Sequence, residues 1–196
     1  MTFLYLIVFG VSLFSSLALT RYVRNLALGL GWVAPPLEER DLHKTPLPRY
    51  GGVAIFLSFL ISIGVGLLIG RRLPAMATLP LRTLAAILVP GTLIFLLGIY
   101  DDIRSVGPYF KFAVQAVAAT MLFAGGLRIL DIPVFFGSRQ FGWHLGLPLT
   151  ILWVIGITNA FNLIDGLDGL AAGSALFSTL VVFVELYSAA HPWSRY

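Results

Sequence analysis

Of the 196 residues, 58% are hydrophobic and only 11% are charged. A water-soluble domain carries roughly 25% charged residues, so a surface built for bulk water is excluded. Thirteen Lys and Arg stand against nine Asp and Glu, a formal charge of +4. In so apolar a chain that excess points to lipid headgroups or anionic substrates, and nucleic acid is not an expected partner. No cysteine is present, which excludes a disulfide framework and a thiol nucleophile.

A helix needs about 20 apolar residues to cross the hydrocarbon core of a bilayer. Six stretches are candidates: residues 2–20, 52–70, 82–100, 111–127, 145–160 and 170–190. Charge, Gly or Pro bounds each one. The pattern predicts an all-α membrane protein, a polytopic bundle of about six transmembrane helices in a single domain over 1–196. The first stretch has no basic residue before it, and Arg21 and Arg24 follow it. It is expected to be a retained helix and not a cleaved signal peptide. Pro90 falls inside the third span, where a kink is expected. Segment 128–144, with Pro133, Gly137 and Gly142, is expected to form a small hairpin.

If all six spans cross, loops at about 21–51, 101–110 and 161–169 share one side of the membrane. Seven of the nine acidic residues then fall there: Glu38, Glu39, Asp41, Asp101, Asp102, Asp165 and Asp168. Polar chemistry is gathered at one face. Lys and Arg number seven on that side and six on the other, too small a bias to orient the chain.

Three clusters lie on the polar side. In Gly98-Ile-Tyr-Asp101-Asp102-Ile-Arg104, two adjacent carboxylates end an apolar helix and repel each other unless a cation sits beside them. Magnesium takes one or two carboxylates together with substrate phosphates. The pair therefore suits a metal–phosphate site or a base beside a ligand, and equally a solvated helix end. In Asn159-Ala-Phe-Asn162-Leu-Ile-Asp165-Gly-Leu-Asp168-Gly, four polar residues recur every three positions. Consecutive pairs are helix neighbours, but each step of three slips by about 60°, so all four cannot share one face. Gly166 and Gly169 permit a break, which is tolerated at membrane depth where it lines a cavity. Carboxylates and amides at that depth are functional candidates; the structural alternative is a turn capped by Asn and Asp. The third cluster, His43-Lys44-Thr-Pro46-Leu-Pro48-Arg49-Tyr-Gly51-Gly52, combines stiffening prolines, cations for phosphate oxygens and glycines that let backbone approach a ligand. It also reads as a basic juxtamembrane loop against anionic lipid. His43 has no second His or Cys near it to make a zinc site.

Taken in order, HKTPLPRYGG (43–52), GIYDD (98–102) with Lys111 and Gln115 beyond it, and ITNAFNLIDGLDGLAAG (157–173) resemble the polyprenyl-phosphate N-acetylhexosamine-1-phosphate transferases, those acting with GlcNAc among them. The resemblance covers essentially the whole chain, and the third motif is nearly a signature by itself. The PRxGG form looks more like the branch that initiates teichoic acid, O-antigen or enterobacterial-type glycans than the phospho-N-acetylmuramoyl-pentapeptide branch. The resemblance implies transfer of a sugar 1-phosphate from a UDP-N-acetylhexosamine to undecaprenyl phosphate, with release of UMP. It implies a multi-pass protein of the bacterial inner membrane whose active face is cytoplasmic, with magnesium as cofactor (manganese as a substitute) and a homodimer left open. Asp101 would deprotonate or position the lipid phosphate, with Asp102 beside it near the metal. Lys111 would hold phosphate. Asn159, Asn162, Asp165 and Asp168 would line the nucleotide-sugar pocket, and His43 and Arg49 would lie near the phosphates.

Members of that family carry ten or eleven spans. Their later Gly-Asp-Ser/Thr-Gly region, source of a further metal ligand, and their His-rich loop have no counterpart before Tyr196. Residues 1–196 by themselves are therefore expected to fall short of catalysis, as the N-terminal part of a longer transferase. The competing expectations are a small transporter with intramembrane acids, or a non-catalytic membrane scaffold. Against the transporter, Glu185 is the only acidic residue inside a span, and no role follows for HKTPLPRYGG.

Overall fold

A computed structural model describes residues 2–34, 47–48, 50–70, 80–131, 142–165 and 170–190. In chain order the elements are α1 (Thr2–Gly29), β1 (Val33–Ala34), β2 (Leu47–Pro48), α2 (Gly51–Gly70), α3 (Leu81–Arg104), α4 (Pro108–Ala124), α5 (Trp143–Ile164) and α6 (Leu170–Ala190). Apart from the two-residue antiparallel ladder, in which Val33 faces Pro48 and Ala34 faces Leu47, the described secondary structure is helical. The all-α polytopic architecture expected from hydropathy is what the chain adopts. Four helical segments are long and apolar enough to cross a membrane: Tyr5–Gly29, Gly51–Gly70, Leu81–Arg104 and Trp143–Ile164. Pro108–Ala124 and Leu170–Glu185 are apolar but shorter; the 17 residues of α4 rise about 25 Å.

The outward faces are apolar and the packed ones small. Leu6, Phe9, Phe14, Phe59, Leu68, Leu152, Trp153 and Phe177 are exposed, whereas Ala27, Ala54, Ala118 and Ala119 are buried. This inverts the ordering of a water-soluble core, and it is what lipid as solvent dictates: helices associate through small residues that let backbones approach.

The chain divides into two compact units, Met1–Leu127 and Arg128–Tyr196, each described by itself. In the first, α1 ends in an αL glycine, Gly31 at φ +70°. The Trp32 N–H donates to the Ala27 carbonyl at 2.8 Å and the Gly31 N–H to Leu28 at 3.3 Å, the paired bonds of a Schellman cap. The chain returns through the ladder, and Trp32 meets Tyr50 edge-on at 5.5 Å just before α2. One face of α2 presents Ala54, Ser58, Ser62, Gly66 and Gly70 at four-residue spacing. Ala54, Ser58, Ser62 and Gly70 are buried, and a methyl on Gly66 would touch Val8 of α1 at 3.6 Å. The two hydroxyls cost nothing to bury because each donates to the carbonyl one turn back: Ser58 to Ala54 at 2.6 Å and Ser62 to Ser58 at 2.7 Å. Phe56 stacks on Phe95 at 4.0 Å, joining α2 to α3. The α3–α4 pair closes tightly at its far end, where a side chain on Gly125 would overlap the Ala86 methyl and lie 3.3 Å from its Cα. Pro90, inside α3, is fully buried.

In the second unit, Gly142 caps the start of α5 and Pro148 lies inside it. The buried Thr150 hydroxyl donates to the Gly146 carbonyl at 2.7 Å and accepts the Ile129 N–H at 3.1 Å, which tacks the incoming chain to the helix. α5 ends at Ile164 and α6 starts at Leu170; the break expected at Gly166 and Gly169 falls on 166–169, outside the described residues. The expected hairpin falls largely on 132–141, outside the described residues.

Candidate functional site

A polar cavity open to solvent sits at the α3–α4 turn. It has a volume of about 320 Å³ and is lined by Asp101, Asp102, Ser105, Val106 and Lys111. The turn follows from its sequence. Arg104 is the last residue of α3; Ser105 adopts αL at φ 47°, ψ 71°, and its N–H donates to the Asp101 carbonyl at 2.7 Å. Gly107 is extended as the N-cap of α4, and Pro108 holds the first helical position, where its missing N–H has no cost. This brings the start of α4 back beside the end of α3, with Tyr100 and Phe110 at 6.2 Å on the flank.

The Asp101 side chain is held at both oxygens. Oδ2 pairs with Lys111 Nζ at 2.6 Å, each side chain being about a quarter exposed, 26% and 25%. Oδ1 accepts the Val106 N–H at 3.1 Å. Helix dipoles add to the electrostatics. A C-terminus carries partial negative charge and an N-terminus partial positive charge. At the end of α3 the two carboxylates extend a negative pole, and at the start of α4 Lys111 extends a positive one. Each charge stands at the helix end its dipole disfavours, and for Asp101 and Lys111 their pairing offsets this. Chemically, the turn offers a cation-attracting pole next to an anion-attracting pole.

Asn159 and Asn162 occupy the last turns of α5, and Asp165 is its C-cap residue. Asn159 Nδ2 donates to the Ile155 carbonyl at 2.8 Å; Asn162 and Asp165 are exposed. The Asp165 N–H closes the last turn on the Phe161 carbonyl at 3.1 Å. Of the residues singled out from sequence, Asp101, Asp102 and Lys111 therefore share one cavity. Asn159, Asn162 and Asp165 share one helix end in the other unit. His43, Arg49 and Asp168 lie outside the described residues. Sequence reading missed Ser105 and Val106, which complete the cavity wall. The signal for them was Ser-Val-Gly-Pro directly after a helix end, a turn sequence that places backbone N–H groups beside the preceding carboxylate.

Comparison with known proteins resolves the relationship. The model of the family "Glycosyl transferase family 4" matches residues 84–194, more than half of the chain. The chain belongs to glycosyl transferase family 4. A Bacillus subtilis (strain 168) relative of the family, a probable undecaprenyl-phosphate N-acetylglucosaminyl 1-phosphate transferase, is 36% identical over 93% of this chain and 48% of its own length. A Mycobacterium tuberculosis (strain CDC 1551 / Oshkosh) decaprenyl-phosphate N-acetylglucosaminephosphotransferase is 38% identical over 82% of this chain and 40% of its own. A Desulfitobacterium hafniense (strain DSM 10664 / DCB-2) phospho-N-acetylmuramoyl-pentapeptide-transferase is 37% identical over 72% and 44%. The family 4 chain thus spans under half the length of these curated relatives. No solved structure matches it. The motifs at 98–102 and 157–173 fall within the matched region, as does the cavity of Asp101, Asp102 and Lys111, whereas the motif at 43–52 precedes it.

Proposed function

We propose that this chain forms the N-terminal part of a transferase that moves N-acetylhexosamine 1-phosphate from a UDP-sugar to undecaprenyl phosphate. An acceptor phosphate oxygen attacks the sugar-bearing phosphorus of the UDP-sugar. The bond from that phosphorus to the bridging oxygen breaks, UMP leaves, and a lipid diphosphate sugar remains. The observation that carries the reading is the cavity itself: two carboxylates and an ammonium at the end of an apolar helix, where a lipid-borne phosphate and a soluble nucleotide can both reach. The names of the family relatives point the same way.

In this reading Lys111 binds a phosphate oxygen as a point charge, and Asp101 helps to position the lipid phosphate. Asp102 faces the diphosphate, while Asn159, Asn162, Asp165 and Asp168 hold the nucleotide sugar, with His43 and Arg49 near its phosphates. Among the described residues no three Asp, Glu, His or Cys side chains cluster as a metal site. The cavity's own oxygen donors are the two carboxylates and the Ser105 hydroxyl. That set fits magnesium held jointly with substrate phosphates, Asp102 being the protein ligand. When bound, such a metal neutralises the diphosphate charge that grows on the leaving group. The active face is cytoplasmic, at the inner membrane, where UDP-sugars are made.

The test is UMP release by the protein in its own membranes, supplied with UDP-GlcNAc and undecaprenyl phosphate. Release that stops on chelation and resumes with magnesium supports the reading. No release with any UDP-N-acetylhexosamine overturns it.

A further inference from the structure

We propose that Asp101 is a positioning residue acting through Lys111: its carboxylate places the ammonium that meets the substrate phosphates. The proposal rests on the transferase reading. Asp101 is engaged within the turn at three points. Its carbonyl accepts the Ser105 N–H at 2.7 Å, its Oδ1 accepts the Val106 N–H at 3.1 Å, and its Oδ2 holds Lys111 Nζ at 2.6 Å. Through these bonds one residue fixes both the αL reversal at Ser105 and the ammonium across it.

Lys111 needs such a partner. It stands in the first turn of α4, where the helix dipole repels a cation, and its flexible stem has no directional preference of its own. The carboxylate anchors the ammonium over the cavity, ready to take a phosphate oxygen without a search among rotamers. Preorganisation of this kind acts on substrate binding more than on the bond-making step. Asp102 also lines the cavity, on the adjacent residue of α3 and so about 100° round the helix.

The experiment uses the protein in its own membranes and two readouts. The first is acylation of lysine by a water-soluble amine reagent, followed by peptide mass spectrometry. Lys44 is the other lysine within these residues and serves as internal reference. Asp101→Asn is expected to raise Lys111 labelling several-fold relative to Lys44, and Asp102→Asn to leave it as in the wild type. The second is steady-state kinetics of UMP release. Asp101→Asn and Lys111→Gln are each expected to raise KM about tenfold, the worth of a charge-assisted bond, with kcat within about threefold. The double variant is expected to be no worse than the poorer single one. Asp102→Asn is expected to remove turnover. Lys111→Arg, which keeps the ion pair, is expected to recover most of the KM lost in Lys111→Gln, and this comparison decides the matter if Asp101→Asn does not fold. An Asp101→Asn variant that loses kcat at unchanged KM, with its full cost retained on the Lys111→Gln background, overturns the proposal. A wild type that releases no UMP strikes the transferase reading instead; the labelling then decides, and unchanged Lys111 reactivity in Asp101→Asn overturns the positioning role.

Discussion

Ser105 is the residue on which the α3–α4 turn depends most for its shape, and it carries a conformation that L side chains adopt reluctantly, φ 47° and ψ 71°. A single αL residue with a Cβ costs about 1–2 kcal/mol, which the three bonds of Asp101 offset. Ser105→Gly is expected to raise the unfolding midpoint of the detergent-solubilised protein slightly, and Ser105→Val to lower it. The order Gly, Ser, Val in a thermal scan checks this, and any other order shows that the turn is not held as described. At this scale the sequence was legible in residue types and illegible in pairing. Two adjacent acids gave Asp101 and Asp102 as candidates, and the resemblance carried by three motifs in order added Lys111. That Lys111 bonds to Asp101 depends on the αL reversal and on where Pro108 restarts the helix, and neither follows from charge or hydropathy.

Elements were legible where lipid sets their length. α2 at Gly51–Gly70 and α6 at Leu170–Ala190 match the expected 52–70 and 170–190 because the apolar run and the helix coincide. α1 continues to Gly29, well beyond the expected end at residue 20. Arg21 and Arg24 end the apolar run without breaking the helix, since long basic side chains reach back to the interface while Gly29 and Gly31 supply the stop. α4 starts at Pro108 and not at 111, because proline at the first position is a start signal that hydropathy ignores. The stripe on α2 supports a prediction at this scale. Ser62→Leu puts a large side chain on the face where α2 meets α1 and is expected to cost about 1–3 kcal/mol, read as a lower unfolding midpoint, while Ser62→Ala is expected to be nearly neutral. Equal effects from the two would mean that the stripe is not a packing face. Gly125→Ala belongs with the leucine variant, because its new methyl meets Ala86.

For the whole molecule, the class, an all-α membrane protein, was legible in the sequence, but not which way the chain is oriented in the membrane. Orientation rests on the reading of function, and it can be measured directly because the chain has no cysteine. The 22 residues of α5 rise about 33 Å, enough to place its two ends on opposite sides. In spheroplasts, Trp143→Cys is expected to react with a membrane-impermeant maleimide. Tyr109→Cys and Asp165→Cys are expected to react only after permeabilisation. The reverse pattern would turn the active face outward and contradict a UDP-sugar donor. The closure between α1 and α2 has a consequence for engineering. Because β1 and β2 pair Val33 with Pro48 and Trp32 rests on Tyr50, the chain leaves and rejoins the helical hairpin at one point. Lengthening what joins Ala34 to Leu47 carries a loop-closure cost of about 0.6 kcal/mol for each doubling, while the ladder still sets where the chain leaves and rejoins. That junction is a natural graft site, where the corresponding segment of a relative can be exchanged as a cassette to ask what the basic residues between the ladder strands contribute to donor choice.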